Sequence, residues 1–311
     1  MNDLFAKADG MPALIAAPMV RYSKYAFRRL VRRYGVELAF TPMLIADSFV
    51  RSADCRRGDF VTDEFDRPLV VQFAAHTDED FAAAAEFVAP HSDGVDLNCG
   101  CPQKWAIAEG YGCHLIERPQ LVADMVRAMR RRVSDSNYRV SIKIRLRESV
   151  RDTVELCRRA EAAGVSFLTV HGRRRRQKCE PVDWEAIAEV KRSVSVPVVA
   201  NGDIASLDAA AEARRRTGCD GVMAARGLLR NPALFSGASV TPPHCVRDWL
   251  DVSLSTGMPF VTFHRHLMFM LDGQLPKCER RVFNRLASVP AVVDYLSDWL
   301  DVASCSHDGH V

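Results

Sequence analysis

One feature constrains the fold of this chain more than any other: short, strongly apolar runs alternate with helical patterns over most of its length. Eight such runs span Leu14–Met19, Leu38–Met43, Leu69–Ala74, Gly94–Gly100, Val140–Leu146, Phe167–Gly172, Val196–Asp203 and Gly221–Gly227. Several are apolar almost throughout, as expected of parallel strands that are buried on both faces. Helices are predicted over Lys24–Tyr34, Asp78–Val88, Pro119–Arg132, Arg151–Ala163, Trp184–Val194 and Ser206–Thr217. This series predicts an α/β fold, a (β/α)8 TIM barrel rather than a doubly wound open sheet.

The pattern changes near residue 240. Thr241–His244 contains two prolines and predicts a linker, and a short extra helix is predicted just before it at Asn231–Phe235. Four helical segments follow, over Val246–Leu254, Phe260–Asp272, Cys278–Ala287 and Ala291–Val302. We therefore predict a barrel domain over 1–238, a small all-helical C-terminal domain over 239–303 and a flexible tail over 304–311.

The composition excludes several classes of protein. With 48% hydrophobic and 26% charged residues, the chain is neither intrinsically disordered nor collagen-like. It has no uncharged apolar run that could cross a membrane, and Met1–Pro18 lacks the basic-then-apolar order of a secretory signal. We expect a cytoplasmic or nuclear monomer. Its ten cysteines include no CxxC pair, so no metal site is expected.

The positive charge is carried mainly by arginine. The net charge is +3, and the 42 basic residues comprise 35 Arg and 7 Lys. The densest cluster, Arg173–Lys178, places five positive charges in six residues after a predicted strand. Guanidinium groups suit phosphate contacts and base stacking, although such clusters also occur as solvated faces. The position of this cluster at a strand end favours a role in binding.

Polar residues mark the carboxyl ends of the predicted strands, where the active site of such a barrel lies. The apolar runs are interrupted by Gln72, Asn98, Lys143, Arg145, His171 and Asn201. Buried polar groups are costly unless they are paired, so their convergence on one barrel mouth predicts a site. The last two strands end in Asn201–Asp203 and Ala225–Gly227, where barrels of this type bind phosphate. A phosphorylated ligand is therefore expected.

Several ordered motifs make the sequence recognisable. They are Ala17–Met19, Leu97–Gln103, Glu109–Gly112, Ser141–Arg145, Val170–Arg173, Ala200–Ile204, Met223–Pro232 and Arg280–Asn284. Together they resemble the tRNA-dihydrouridine synthases, in particular the eukaryotic branch that acts at D-loop positions 20a and 20b. The resemblance implies an FMN-binding barrel with a helical domain. One departure is Ala225, which stands where the family's phosphate turn often has glycine.

The resemblance also implies an activity. FMN, reduced by NADPH or NADH, passes a hydride to C6 of a tRNA uracil, and Cys101 gives a proton to C5. A structural thiol, or a metal ligand shared with Cys99, is the alternative role for Cys101. Two other functions stay open: a flavin oxidoreductase acting on a free pyrimidine, and a non-catalytic tRNA-binding protein that retains the fold.

Further roles follow by resemblance, position by position. The cofactor-binding residues would be Pro18, Met19, Gln72, Lys143, His171, Asn201, Gly202, Asp203, Ala225 and Arg226. Lys143 would stabilise the anionic reduced ring, or else form an internal salt bridge, and His171 could instead be purely structural. Asn98 and Arg145 would face the substrate base.

The tRNA contacts are predicted from charge. A D-loop uracil must be turned outward to reach a barrel pocket, and backbone contacts would supply the energy for this. The barrel mouth would contribute Arg173, Arg174, Arg175, Arg176 and Lys178, and the helical domain Arg265, Lys277, Arg280 and Arg281.

Overall fold

The computed structural model describes residues 4–5 and 10–305, and a closed parallel barrel lies at its centre. The strands are β1 (Ala13–Ala16), β2 (Leu38–Phe40), β3 (Leu44–Ile45), β4 (Leu69–Ala74), β5 (Gly94–Cys99), β6 (Arg139–Leu146), β7 (Phe167–Arg174), β8 (Val198–Asn201) and β9 (Gly221–Ala224). Strands β4 to β9 pair in sequence order, β9 pairs with β1, and β1 with β2. The pairing of β2 with β4 closes the ring at eight strands, with β3 as a short addition beside β4. The predicted TIM barrel is confirmed.

The helices follow the strands around the barrel. They are α1 (Tyr25–Arg32), α2 (Ala46–Arg51), α3 (Ala53–Asp59), α4 (Asp78–Val88), α5 (Lys104–Ala108), α6 (Pro119–Arg132), α7 (Val150–Ala163), α8 (Trp184–Ser193), α9 (Leu207–Thr217) and α10 (Arg226–Arg230). Helices α11 (Pro243–Ser255), α12 (Phe260–Met270), α13 (Lys277–Phe283) and α14 (Val289–Cys305) complete the C-terminal part.

Local chemistry sets several of these boundaries. Helix α4 begins where the Thr77 hydroxyl accepts a hydrogen bond from the Asp80 amide, a standard N-cap. Helix α7 ends at Gly164, whose φ of +100° is the left-handed conformation that glycine adopts without strain. The predicted strand Leu38–Met43 is shorter because Pro42 has no N–H for a ladder hydrogen bond, so β2 ends at Phe40.

The C-terminal helices pack directly against the barrel. Trp249 of α11 is fully buried, and its indole N–H donates to the carbonyl of Phe263 on α12. Tyr34, just beyond α1, donates through its hydroxyl to Asp248 of α11 at 2.6 Å. Side chains of the barrel and of α11 to α14 belong to one continuous hydrophobic core. The division of the chain at residue 238 stays a prediction.

Three local predictions are corrected. Thr241–His244 is not a linker, because α11 begins at Pro243 and buried Thr241 donates to the carbonyl of Arg230. The helix after β9 is α10, and Asn231–Phe235 contributes only to a single 3-10 turn at Leu234–Ser236. Helix α14 runs to Cys305, past the predicted start of the tail, and residues 306–311 lie outside the described part of the chain.

Candidate functional site

A cavity opens at the carboxyl ends of β7, β8 and β9. Its volume is about 680 Å³, within the usual range for small-molecule sites. The barrel contributes His171, Arg173, Asn201, Gly202, Asp203, Ala225 and Arg226, and the C-terminal part contributes Thr241, Phe269, Met270 and Gln274. The structure thus brings seven of the predicted site residues together in one cavity.

One corner of this cavity has the backbone geometry of an anion site. Gly202 has a φ of +125°, and a Cβ atom there would lie 2.7 Å from Val182 and 3.2 Å from the His171 ring. Only glycine fits this turn. Helix α10 begins at Arg226, directly after β9, so the backbone N–H groups of its first turn lack helical partners. Such groups can hold a phosphate.

Charged side chains surround the same corner. The Asp203 carboxylate pairs with Arg173 through Oδ2, and its Oδ1 lies 3.4 Å from Nη2 of Arg226. Arg173 also donates through Nε to the carbonyl of Glu180 at 2.5 Å. Arg173 is only 1% exposed, so its contact with RNA stays a prediction that this burial does not favour. Arg173 lines the cavity.

His171 is a neutral ring in a cationic surrounding. Burial, followed by the charges of Lys143, Arg145, Arg173 and Arg226, holds its pKa well below the ordinary value. Nη1 of Arg173 lies 3.4 Å from Nε2 of His171, which can therefore act as an acceptor. At this corner the single carboxylate of Asp203 faces both Arg173 and Arg226, so the corner suits an anionic phosphorylated ligand.

Lys143 lies deeper in the barrel mouth. Its Nζ donates to Oδ1 of Asn201 at 2.9 Å, and Nδ2 of Asn201 donates to the carbonyl of Met223 at 2.8 Å. Burial lowers the pKa of Lys143 to about 8, while the nearby Asp96 carboxylate opposes that shift. This ammonium group is held in place by an oxygen acceptor rather than by a direct salt bridge.

Cys101 follows β5 at the same barrel mouth. The thiol side chain is partly exposed and packs beside Ala106 and Tyr111. The amide groups of Gly100 and Cys101 donate to Oδ1 of Asn98 at 3.1 and 3.0 Å. Cys99 is buried in the main core, away from the exposed face that Cys101 presents. In the part of the chain that the structure describes, no group of three or more His, Cys, Asp or Glu residues is placed to hold a metal ion.

A polar relay, which the sequence analysis missed in part, leads from the barrel interior to this loop. Nδ2 of Asn98 donates to Oε1 of Gln72 at 2.8 Å, and Nε2 of Gln72 donates to Oδ2 of Asp96 at 2.8 Å. Ser141 donates to the other Asp96 oxygen at 2.6 Å. Burial raises the pKa of Asp96 to about 6, opposed by these two hydrogen bonds and by Lys143. The sequence signal for this relay was Asp96 itself, a carboxylate inside an otherwise apolar strand.

Arg145 connects two loops. Its Nε donates to the carbonyl of Gly100 at 3.1 Å, and its Nη1 donates to the carbonyls of Arg174 and Gln177 at 3.2 and 3.1 Å. Asn98 is buried, and both ends of its amide group form hydrogen bonds. The structure therefore gives both residues a role in holding loops, and their contact with a substrate base stays a prediction.

The remaining predicted residues lie around the mouth. Gln72 is buried, while Pro18 and Met19 follow β1 and are partly exposed. The Met19 amide donates to the Ser23 hydroxyl at 2.9 Å, so its backbone is already engaged.

A basic loop follows β7. Arg175, Arg176 and Lys178 are exposed, and Arg174 is partly exposed beside Glu148. In the C-terminal part Arg265, Lys277 and Arg281 are exposed, whereas Arg280 pairs with Asp272. Across the described residues, no helix combines the length and apolar character that spanning a membrane requires.

Comparisons with known proteins agree with this architecture. Residues 14–272 match the family described as "Dihydrouridine synthase (Dus)". The chain is 52% identical over 290 residues to "tRNA-dihydrouridine(20a/20b) synthase [NAD(P)+]-like" of Mus musculus, covering 93% of this chain and 90% of that protein. It is 39% identical over 309 residues to "tRNA-dihydrouridine(20a/20b) synthase [NAD(P)+]" of Saccharomyces cerevisiae, covering 97% and 84%.

A solved structure shows the same fold at low sequence identity. The old yellow enzyme of Trypanosoma cruzi superposes with a TM-score of 0.50 and 12% identity, covering 71% of this chain and 86% of its own. The family resemblance predicted from the motifs is confirmed. The match over 259 of the 311 residues (14 through 272), together with the two relatives, shows that this chain belongs to the dihydrouridine synthase family.

Proposed function

We propose that this chain is an FMN-dependent tRNA-dihydrouridine synthase, which reduces the C5–C6 double bond of a D-loop uridine with NADPH or NADH as reductant. One observation carries the proposal: the accessible Cys101 stands at the same barrel mouth as a cation-rich cavity with an anion-binding corner. A thiol beside a site for a phosphorylated cofactor supplies both chemical needs of the reaction, a proton donor and a place for the hydride carrier.

The residues proposed to bind FMN form two groups, one lining the cavity and one elsewhere in the barrel mouth. The phosphate end would be held by the turn Asn201–Asp203, by Ala225 and the first turn of α10, and by the Arg226 side chain. At the flavin ring, Lys143 would provide a positive charge, and the Gln72 amide would form a hydrogen bond to the ring edge. The backbone of Pro18 and Met19 would line the ring. The bound cofactor supplies the hydride. Neutral His171, between Arg173 and the turn at Gly202, would accept or donate a hydrogen bond without adding charge.

Cys101 performs the acid step. A hydride that arrives at C6 of uracil leaves negative charge on C5 and O4, and the thiol proton then goes to C5. The resulting thiolate takes a proton from solvent, which the partly exposed position of Cys101 allows. Asn98 and Arg145 hold the loop that carries this thiol, and their side chains would face the substrate base.

The substrate would be tRNA. The names of the relatives specify positions 20a and 20b, and we propose one of these as the target. A uridine in a folded D-loop must be turned out of its stack to reach the barrel mouth. The exposed basic loop Arg174–Lys178 would contact phosphates beside it, together with Arg265, Lys277 and Arg281. We further propose that the chain acts as a monomer in the cytoplasm or nucleus, where its substrate is found.

The first test is the visible absorbance spectrum of the purified protein, with mass identification of any released chromophore. A flavin spectrum with FMN released supports the cofactor assignment. The protein is then incubated with unmodified tRNA or with free uridine, using NADPH and NADH in turn, and dihydrouridine is measured. Dihydrouridine in tRNA supports the proposal, and reduction of free uridine alone would favour a pyrimidine oxidoreductase. A colourless protein that takes up no FMN but binds tRNA would favour the non-catalytic alternative.

A further inference from the structure

We propose that Asp96 is a positioning residue for the Cys101 loop: it sets the direction of a hydrogen-bond relay that runs through Gln72 and Asn98 to the backbone of Gly100 and Cys101. Asp96 is fully buried in the middle of β5 and touches neither the cavity described above nor solvent. The inference deepens the proposed function. Its activity measurement rests on that function, whereas its hydrogen-exchange measurement does not.

The relay is continuous. From Asp96 the successive donor–acceptor distances are 2.8 Å to Gln72, 2.8 Å from Gln72 to Asn98, and 3.1 and 3.0 Å from Asn98 to the amides of Gly100 and Cys101. The register places Gln72 of β4 beside Asp96 of β5, so both side chains point to the same side of the sheet. The strands themselves therefore bring the first two members of the relay together.

The chemistry of each member fixes the orientation of the next. An ionised carboxylate can only accept hydrogen bonds, so Gln72 must turn its NH₂ group toward Asp96. The carbonyl oxygen of Gln72 then faces Asn98, which must donate a hydrogen bond from its own NH₂ group. The Asn98 oxygen is thereby left for the two backbone N–H groups of the loop. A hydrogen-bond acceptor inside the barrel thus decides which end of Asn98 meets the Cys101 loop.

Loss of the Asp96 carboxylate removes the preferred orientation of the Gln72 and Asn98 amide groups. If Gln72 and Asn98 both flipped, the NH₂ group of Asn98 would face two N–H donors, and both backbone groups would lose their acceptor. Leaving such groups unpaired is costly. Ser141 does not replace Asp96, because its hydroxyl bonds the other carboxylate oxygen and not Gln72. A looser loop would displace the thiol, and proton transfer depends steeply on such distances.

Three variants separate direction from stability. Asp96→Ala removes the carboxylate. Asp96→Asn keeps an oxygen for the NH₂ group of Gln72 and offers its own NH₂ group to the Ser141 hydroxyl, so the relay keeps its direction. Ser92→Ala is the control: this buried hydroxyl precedes β5 at the opposite end of the barrel, where it bonds Tyr138 and the carbonyl of Val88. Its loss costs stability without touching the relay.

The main readout is hydrogen–deuterium exchange of the Gly100 and Cys101 amides, measured by mass spectrometry on the flavin-loaded protein. We expect exchange about tenfold faster or more in Asp96→Ala, since the two amides lose their acceptor. Asp96→Asn and Ser92→Ala should stay within about twofold of the wild type. Uridine reduction in tRNA should fall in Asp96→Ala and recover in Asp96→Asn, while the KM for the nicotinamide reductant stays unchanged.

Two results would overturn the inference. One is unchanged exchange of the Gly100 and Cys101 amides in Asp96→Ala. The other is exchange in Asp96→Asn as fast as in Asp96→Ala, which would make the charge of residue 96, rather than the direction of the hydrogen bonds, the cause. If Asp96→Ala does not fold, Gln72→Leu breaks the relay with the carboxylate left in place, and the same faster exchange is expected. If the wild type reduces no tRNA uridine but the exchange pattern holds, the proposed function fails and the relay stands.

Discussion

Arg145 and Gly100 are joined by a 3.1 Å hydrogen bond from the guanidinium Nε to the backbone carbonyl. The same guanidinium donates through Nη1 to two carbonyls of the basic loop after β7. One side chain at the end of β6 therefore holds both the loop that carries Cys101 and the loop that we propose to contact RNA. The barrel mouth is organised by such cross-loop bonds as much as by its strands.

Substitution of Arg145 by lysine should uncouple the two loops. An ammonium group has no planar fork and cannot reach the carbonyls of both loops at once. The loss of bonds to a charged donor predicts a fall of about tenfold to a hundredfold in kcat/KM for tRNA. Flavin content should be unaffected. Arg147→Lys is the matched control, because Arg147 lies two residues further on and pairs with Glu117 instead; an equal loss in both variants would contradict the prediction.

The basic loop should control tRNA binding through charge. Replacing Arg174, Arg175 and Arg176 together by glutamine removes up to three phosphate contacts. The slope of log affinity against log salt concentration should then fall in magnitude by roughly 2. Filter binding of tRNA at several salt concentrations measures this change. The control removes the exposed arginines 131, 132 and 215 on the outer helices α6 and α9, and an identical slope in the two triple variants would sink the assignment.

Cys101 should be needed for the reduction of uridine in tRNA and not for the reduction of the flavin by NADPH. Cys101→Ala removes the proposed general acid, and we expect turnover to fall by about 10² to 10⁴. The flavin should still be bound and should still be reduced by NADPH. Rapid mixing with each substrate separates the two half-reactions. Cys179→Ala, at an exposed thiol just after the basic loop, is the control; wild-type turnover in Cys101→Ala would remove the acid role from Cys101.

The barrel could be predicted because parallel strands buried on both faces leave a continuous apolar signal in the sequence. Helices α4 and α6 begin and end where the pattern placed them. Helices α2 and α3 gave no such signal, because they are short and rich in charged residues. The two prolines at Thr241–His244 favoured a linker, yet proline is equally suited to the first turn of a helix, which is its place in α11.

The partners of individual side chains were harder to predict. Arg173 stands in a run of basic residues, and charge alone could not show that Asp203, thirty positions later, would bury and neutralise it. That contact depends on the turn after β8, where Gly202 and Asp203 both have positive φ. Asp96 was missed although it interrupts an apolar strand as Gln72 and Asn98 do. Its role follows only from the register that sets it beside Gln72.

The pH dependence of flavin reduction should report the charge of Lys143. Burial favours the neutral amine and lowers the pKa from 10.5 to about 8, so the positive charge is lost as pH rises through that value. A cation beside the anionic reduced ring stabilises it, and reduction should therefore slow above pH 8. For stability the sign is opposite: the buried charge destabilises the folded state below pH 8, and that cost disappears as pH rises toward 10.5.

The measurement is the rate of flavin reduction by NADPH from pH 6.5 to 9.5 (about three pH units that bracket the pKa of Lys143) in a Cys101→Ala background, which confines the experiment to the reductive half-reaction. Adding Lys143→Met should slow reduction on the order of 100-fold at pH 7 and abolish the descending limb. Lys191→Met is the control, since Lys191 pairs with Asp220 away from the cavity. A limb near pH 8 that persists without Lys143 would assign the titration to another group.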